Sequence, residues 1–302
     1  MLASDNMMPG HPEERADAFE RDLQLNLLEP AFARHDMEIS IVRWREAARR
    51  ATEFSAMLPL FAWDYFEGNE REFFEQLEQA SHDTVVLNDV TIMKWNSTKS
   101  YLDCLSDRGV PVIPTKTVDS VCEESVKTTF CELSTDTLVI KPLVGGGAWR
   151  QVLLHRSDKF PKPDALPPAG ALVQAYLPSV CSEGEYSLVT IDGKYSHAAV
   201  KRPKSGDYRI QSIHGGTEET YPPSASEIQT AEHVVAALDV VPLYARVDLL
   251  RGLDDELKLI ELELIEPYLY LPHADSSTGR NAAAEKFAMA LSRRLRLSLI
   301  HI

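Results

Sequence analysis

The chain has 302 residues, 44% of them apolar, enough to bury a large core divided over two or three domains. Its 31 Lys+Arg against 46 Asp+Glu give a formal charge of −15, the reverse of what a nucleic-acid surface selects, although a local basic pocket can still hold a small polyanion such as a nucleotide. No apolar run reaches the ~18–20 residues that span a bilayer, and MLASDNMMPGHPEER lacks the basic-then-apolar order of a signal peptide, so the expected location is cytoplasmic, with neither nucleic acid nor membrane as partner.

In chain order, MLASD reads as the last part of a strand, and residues 17–28 read as a helix with Phe19, Leu23 and Leu27 four apart. MEISIVRW and MLPLFAWDYF read as strands, NEREFFEQLEQ as a helix with Phe73, Phe74 and Leu77 inside, and TVVLND as a strand; this alternation predicts a small α/β unit with a parallel sheet. NSTKSYLDCLSDRG reads as one helix capped by Asn96 or Ser97 and ended by Gly109. VPVIPT is extended, since its prolines exclude helix. TLVIKP is a buried strand, VGGGAWRQVLLH a glycine loop with a returning strand, FPKPDALPPAG a surface loop, and ALVQAYLP the next strand. EYSLVTIDGKYSHAAVKRP reads as a hairpin turning on Asp192-Gly193. A helix over 225–238 presents Ile228, Ala231, Val235 and Leu238, and GRNAAAEKFAMALSRRLRLSL closes the chain as a helix. The four cysteines match no zinc spacing and read as free, buried thiols in a reducing compartment.

YARVDLLRGLDDELKLIELELIEP reads as a second hairpin, with its turn at Gly252 to Glu256. With a period of two, Arg246, Asp248, Glu261 and Glu263 share one face, and Val247, Leu249, Ile260, Leu262 and Leu264 the other. Asp248 then stands opposite Glu261, and Arg246 opposite Glu263. Opposed carboxylates repel, and a divalent cation reverses that penalty. Oxygen-only donors suit magnesium and argue against zinc. A solvated face of ion pairs is the plainer alternative. In LVIKPLVGGGAWR a strand delivers Lys141, and Gly145, Gly146 and Gly147 allow positive φ and a concavity of free N–H groups suited to phosphate. The order differs from a P-loop, where glycines precede the lysine.

These segments, in this order over roughly residues 57–295, resemble the ATP-grasp superfamily. Within it the chain is similar to the glutathione-synthetase-like, carboxylate-activating branch, and most of all to the group that includes the cycloserine-forming cyclo-ligase. The resemblance implies an α/β class with α+β character: a small N-terminal α/β domain (1–91), a central lid domain (92–174) and a C-terminal antiparallel-sheet domain (175–302). It implies an ATP-dependent carboxylate–amine or cyclising ligase that passes through an acyl phosphate. ATP and two magnesium ions, with manganese as a substitute, are the implied cofactors. Small carboxylate and amine substrates are the implied partners, and a homodimer is a further expectation.

By the same resemblance Lys99 and Lys141 hold phosphates, and Gly145–Gly147 close over them. Gln174, Tyr176 and Leu177 meet the adenine, and Glu185 the ribose. Lys201 and Arg209 face phosphate or substrate carboxylate, Arg246 steadies the transferring phosphoryl group, and Asp248, Glu261 and Glu263 bind the metal. Trp63, Asp64 and Tyr65 either line the substrate side or pack in the core. Two departures stand out: Glu263 takes a position that is Asn in many relatives, and LIEPYLYLP replaces a glycine turn; Glu266 is a further expectation for the acceptor side. A magnesium-dependent phosphohydrolase and a non-catalytic nucleotide-binding protein remain the rival readings.

Overall fold

The computed structural model describes residues 1–300, and the side chains of residues 1–297. Near the N-terminus Leu2–Ala3 runs parallel to Val42–Arg43, and Ala56–Met57 parallel to Val85–Val86. Parallel neighbours need a crossover, and the helices Phe19–Ala33 and Glu70–Ala80 lie in those two connections. The strands expected at MEISIVRW and MLPLFAWDYF shrink to two residues each. Met57 to Tyr65 stays buried but leaves the sheet, touching it again through a bridge between Ala3 and Phe61. An apolar run reports burial and does not by itself report a strand.

The first helix does not bury the expected stripe. Phe19 and Leu23 are 52% and 40% exposed, and Leu25, Leu28, Ala31 and Phe32 face the core. The rotation follows from two polar side chains with partners inside. Arg21 donates to the Met7 carbonyl at 2.6 Å, and Gln24 accepts from the Leu269 amide at 2.8 Å. Phe32 then stacks on Phe287 of the closing helix Ala282–Ile300 at 5.9 Å.

The helix expected from residue 96 begins only at Tyr101, behind a separate helix that ends at Asn96. Val90–Asn96 is capped by the Asp89 carboxylate, which accepts from the Thr91 amide, and Tyr101–Asp107 follows after a turn. Asn96 therefore ends a helix instead of capping one. Its buried amide donates to the Leu262 carbonyl at 2.9 Å and accepts from the Leu264 amide at 3.0 Å. The break puts Lys99 in the turn between the helices. Gly109, at φ 84°, ends the second helix as expected.

Two antiparallel sheets complete the frame. The first runs in the order Thr115–Val118, Ala171–Ala175, Thr137–Pro142, Val152–His155. It is covered by the helix Glu123–Glu132, an element the sequence reading passed over, which packs Val126 and Phe130 on Leu138, Ile140 and Val173. The second runs Thr217–Thr220, Lys194–Arg202, Glu185–Ile191, Tyr244–Arg251, Leu257–Glu263. The hairpin of the middle strands turns on Asp192 and Gly193, both at positive φ, as a type I′ turn requires. Ala245, Val247 and Leu249 face the helix Ala225–Ala236 through Ala231, Val234 and Val235. Ile92, Tyr101, Leu102 and Leu105 join that same core.

All four cysteines are exposed, against the expectation of buried thiols. Cys122 sits at the start of a helix, where its sulfur accepts from the Ser125 amide. Among the described residues no helix is long and apolar enough to cross a membrane.

Candidate active site

The two sheets face each other across a cleft of ≈ 280 Å³. The hairpin builds one wall with the expected register, Arg246 opposite Glu263 and Asp248 opposite Glu261. A bulge after Asp248 sets Leu249 opposite Leu259. An extra residue reverses which side chains point in, so Ile260, expected on the core face, lines the cleft and packs with Leu250 and Tyr176. The neighbouring strands add Ser187 and Glu185, and Lys201 stands directly across from Glu185.

The charges meet in this wall. Oxygens of Asp248, Glu261 and Glu263 lie within 4.8 Å of one another. Arg246 bridges Asp248 (3.0 Å) and Glu263. Lys201 bridges Glu185 (2.5 Å) and Asp248 (3.2 Å), Lys99 pairs with Glu261 at 2.8 Å, and Ser187 donates to Asp248. Burial alone would raise the Asp248 carboxyl, but Arg246 and Lys201 overcome it and hold the group down at about 2. For Glu263 burial wins over Arg246, with Asp248 and Glu261 adding to it, and the carboxyl rises to about 7. Glu266 is pushed well up by burial and then by Glu263.

Lys141 behaves differently from its neighbours. It is 9% exposed, and its ammonium makes no hydrogen bond or ion pair among the described residues. Burial lowers its pKa, and Glu261 and Glu185 only partly offset that. A buried ammonium with no carboxylate in direct contact is costly. Next to it, Lys99 donates from its backbone amide to the Leu143 carbonyl and from Nζ to the Gly145 carbonyl, both at 2.8 Å, which ties the glycine loop to the cleft. Gly145 and Gly147 take positive φ, and a Cβ on Gly146 would come within 3.0 Å of the Phe66 ring.

At the far end of this side, Leu177 forms an apolar floor with Ile113, Val180 and Leu250. Gln174 donates to Thr115 at 3.2 Å while its side-chain oxygen has no partner among the described residues. Tyr176 lines the cleft with its hydroxyl 3.2 Å from the Cys181 sulfur. Arg209 lies at the rim, 39% exposed at its side chain and held by Asp207 at 2.7 Å, outside the carboxylate cluster.

Residues 1–88 match the family model for the N-terminal domain of D-cycloserine synthetase DcsG. The chain is 28% identical over 270 residues to the cycloserine biosynthesis protein DcsG of Streptomyces lavendulae, covering 84% of this chain and 87% of that protein. Its fold superposes on the crystal structure of D-cycloserine synthetase DcsG with a TM-score of 0.81 at 25% identity, covering 97% of this chain and 98% of that one. The ATP complex of D-alanine–D-alanine ligase from Bacillus anthracis gives 0.66 at 15% identity over 94% and 96% of the two chains, a likeness of fold alone. The chain has the fold of the ATP-grasp ligases.

In this ATP-grasp fold the open end of the cleft, beyond Arg246, carries residues that sequence reasoning missed. Arg15 chelates Asp17 at 2.9 and 3.0 Å and covers the Trp63 ring. Glu20 accepts from Ser212, and Tyr268 and Tyr270 stack edge to face. Trp63 and Tyr65 prove to be both buried and part of the lining. Asp64 turns away, accepting from the Trp44 indole at 2.6 Å. Ser187 was findable, since it follows Glu185 at the strand period. Tyr268 lies too far in sequence from Arg15 and Glu20 to leave a local signal.

Proposed function

We propose that this chain is an ATP-dependent carboxylate–amine ligase that works through an acyl phosphate, with residues 1–91, 92–174 and 175–302 as its three domains. The observation that carries the reading is Lys141, buried and without an ion pair among the described residues, beside three carboxylates, Asp248, Glu261 and Glu263, crowded within 4.8 Å. A triphosphate with magnesium satisfies both.

Lys99 and Lys141 grip the phosphates, and Lys99 can exchange its Glu261 partner for one of them. Gly145–Gly147 supply backbone donors over the triphosphate. Leu177 and Tyr176 receive the adenine, with Gln174 at its edge, and Glu185 holds the ribose. Asp248, Glu261 and Glu263 fit magnesium because they offer only oxygen within a span of 4.8 Å; when bound, that metal neutralises the charge on the phosphoryl group. Arg246, with Lys201 behind it, stabilises the same charge from the protein side, and Arg209 screens the rim.

The substrate carboxylate oxygen attacks the γ-phosphorus as the bond to ADP breaks. The amine then attacks the acyl carbon, the bond to phosphate breaks, and the amine's proton leaves with phosphate or solvent. Trp63, Phe66 and the glycine loop exclude water from the acyl phosphate. The whole-chain similarity to D-cycloserine synthetase supports the intramolecular, cyclising form, and a cytoplasmic location suits the reading. The test is ADP release with magnesium and pooled small amino acids. Acid-dependent ADP formation is expected. Phosphate release from ATP with no dependence on an added acid would favour a phosphohydrolase.

A further inference from the structure

The strand Leu257–Glu263 lies at the edge of its sheet, with Tyr244–Arg251 on one side and no further strand on the other among the described residues. Main-chain groups on such an edge need partners once they are buried. At Leu259 other main chain supplies them: the Leu259 amide donates to the Pro111 carbonyl at 2.7 Å, and the Ile113 amide donates to the Leu259 carbonyl at 3.0 Å. Along the part that carries Glu261 and Glu263 the partners are side chains instead. The Leu262 amide donates to the Tyr101 hydroxyl at 2.8 Å, and the Leu262 carbonyl accepts from the Asn96 side chain at 2.9 Å. The Asn96 side-chain oxygen accepts from the Leu264 amide at 3.0 Å, and the Leu264 carbonyl accepts from Asn88 at 2.7 Å.

Asn96 and Tyr101 are both buried, and both border the cleft. The Trp95 ring packs 5.5 Å from the Tyr101 ring. Between them, in the turn that joins the two helices, stands Lys99, whose Nζ reaches Glu261 and the Gly145 carbonyl, each at 2.8 Å. One short segment therefore meets the strand three times: Asn96 at Leu262 and Leu264, Lys99 at Glu261, and Tyr101 at Leu262. Closing an edge needs only main-chain partners, as at Leu259. Here the same segment grips the main chain on either side of Glu263 and also supplies the cation that faces Glu261. A shift of this edge would move both carboxylates relative to Lys99 and to Asp248 on the neighbouring strand.

We propose that Asn96 and Tyr101 are positioning residues that hold Glu261, Glu263 and Lys99 in one frame, so that the metal and the triphosphate are bound as a unit. This rests on the ligase reading and adds which groups couple its two cofactors. Each residue acts through the main chain of Leu262 or Leu264. Their loss leaves Lys99 free to reach a phosphate, so it should spare the affinity for nucleotide alone and remove the part that the metal adds.

The experiment is titration calorimetry of an unhydrolysable ATP analogue, with magnesium and with EDTA, on the wild type, Tyr101→Phe and Asn96→Asp. Tyr101→Phe keeps the ring and removes the acceptor of the Leu262 amide. Asn96→Asp keeps the acceptor for the Leu264 amide and turns an oxygen toward the Leu262 carbonyl. The ratio of the two affinities is the coupling between metal and nucleotide. It should fall by about 10- to 100-fold in each variant, as for other groups that orient metal ligands, with the affinity in EDTA kept within about 3-fold. A weakened fold alone would lower both affinities together. A ratio unmoved in either variant, or an equal loss with and without magnesium, overturns the clamp, while acid-dependent ADP release by the wild type keeps the ligase reading. A wild type whose analogue affinity ignores magnesium overturns both. Should a variant not fold, hydrogen exchange on the wild type decides. The Leu262 and Leu264 amides should gain protection when magnesium and the analogue are added together; protection raised equally by the analogue alone, or not raised at all, overturns the proposal.

Discussion

Replacing Lys141 by methionine should abolish turnover and still make the protein more stable. Lys141 is 9% exposed, burial lowers its pKa, and its ammonium has no hydrogen bond or ion pair among the described residues. A lowered lysine pKa means that folding disfavours the charged form, so the fold pays for this ammonium without recovering the cost. Methionine keeps nearly the same length and volume, a change that strains a packed site by under about 1.5 kcal/mol. It removes an ion whose burial costs several kcal/mol. The net gain is on the order of 1–3 kcal/mol, or roughly 2–5 °C in melting temperature for a chain of this size. Turnover should fall at least ~100-fold, because a donor aimed at developing phosphoryl charge is gone. Thermal denaturation with and without magnesium-ATP, beside a coupled ADP assay, reads all three quantities: intrinsic stability, ligand-induced stabilisation and rate. The nucleotide should raise the wild-type melting temperature clearly and that of the variant little. A variant that melts below the wild type, or that turns over within ~10-fold of it, would refute the reading of Lys141 as a phosphate-holding cation.

Asp248 should behave oppositely in stability. Asp248→Ala leaves Arg246 and Lys201 buried beside an empty position and should cost roughly 3–5 kcal/mol by chemical denaturation; Asp248→Asn keeps the shape, and a rate within ~10-fold of wild type would remove it from the machinery. Gly146→Ala places a methyl within 3.0 Å of Phe66; ADP release should become several-fold less coupled to product, and adding Phe66→Leu should restore coupling, whereas no recovery in the double variant would exclude this contact as the seal. His197, 4% exposed and pushed down to about 4 by burial, is neutral in the fold. The unfolded chain takes up its proton first, so stability should fall as pH drops from about 6.5 to 4, by about 3 kcal/mol in all. Urea midpoints across that range should flatten in His197→Gln, and an unchanged slope would place the proton uptake elsewhere.

The parts legible in the sequence are those that a short period encodes. Alternation along residues 244–251 and 257–263 put Arg246, Asp248, Glu261 and Glu263 on one face, and their pairing is the observed one. Asp192-Gly193 could only turn tightly, and a strand ending in Lys141 before three glycines could only deliver a cation to a flexible loop. The failures share a cause. Ile260 reached the cleft because of a bulge that no residue type announces. The first helix turned its Phe19 and Leu23 outward because Arg21 and Gln24 found carbonyl and amide partners at Met7 and Leu269. Asn96 stopped a helix because the hairpin offered it Leu262 and Leu264.

Local chemistry along the chain thus determined the strands, the turns and the charged face, since side-chain direction there depends on near neighbours. Only the tertiary structure decided which cations neutralise that face, which one stays unpaired, and how Glu20 and Tyr268, some 250 residues apart, come to border one cleft. Pairing across such distances depends on burial and on competition for partners, and neither is written in any short window of residues.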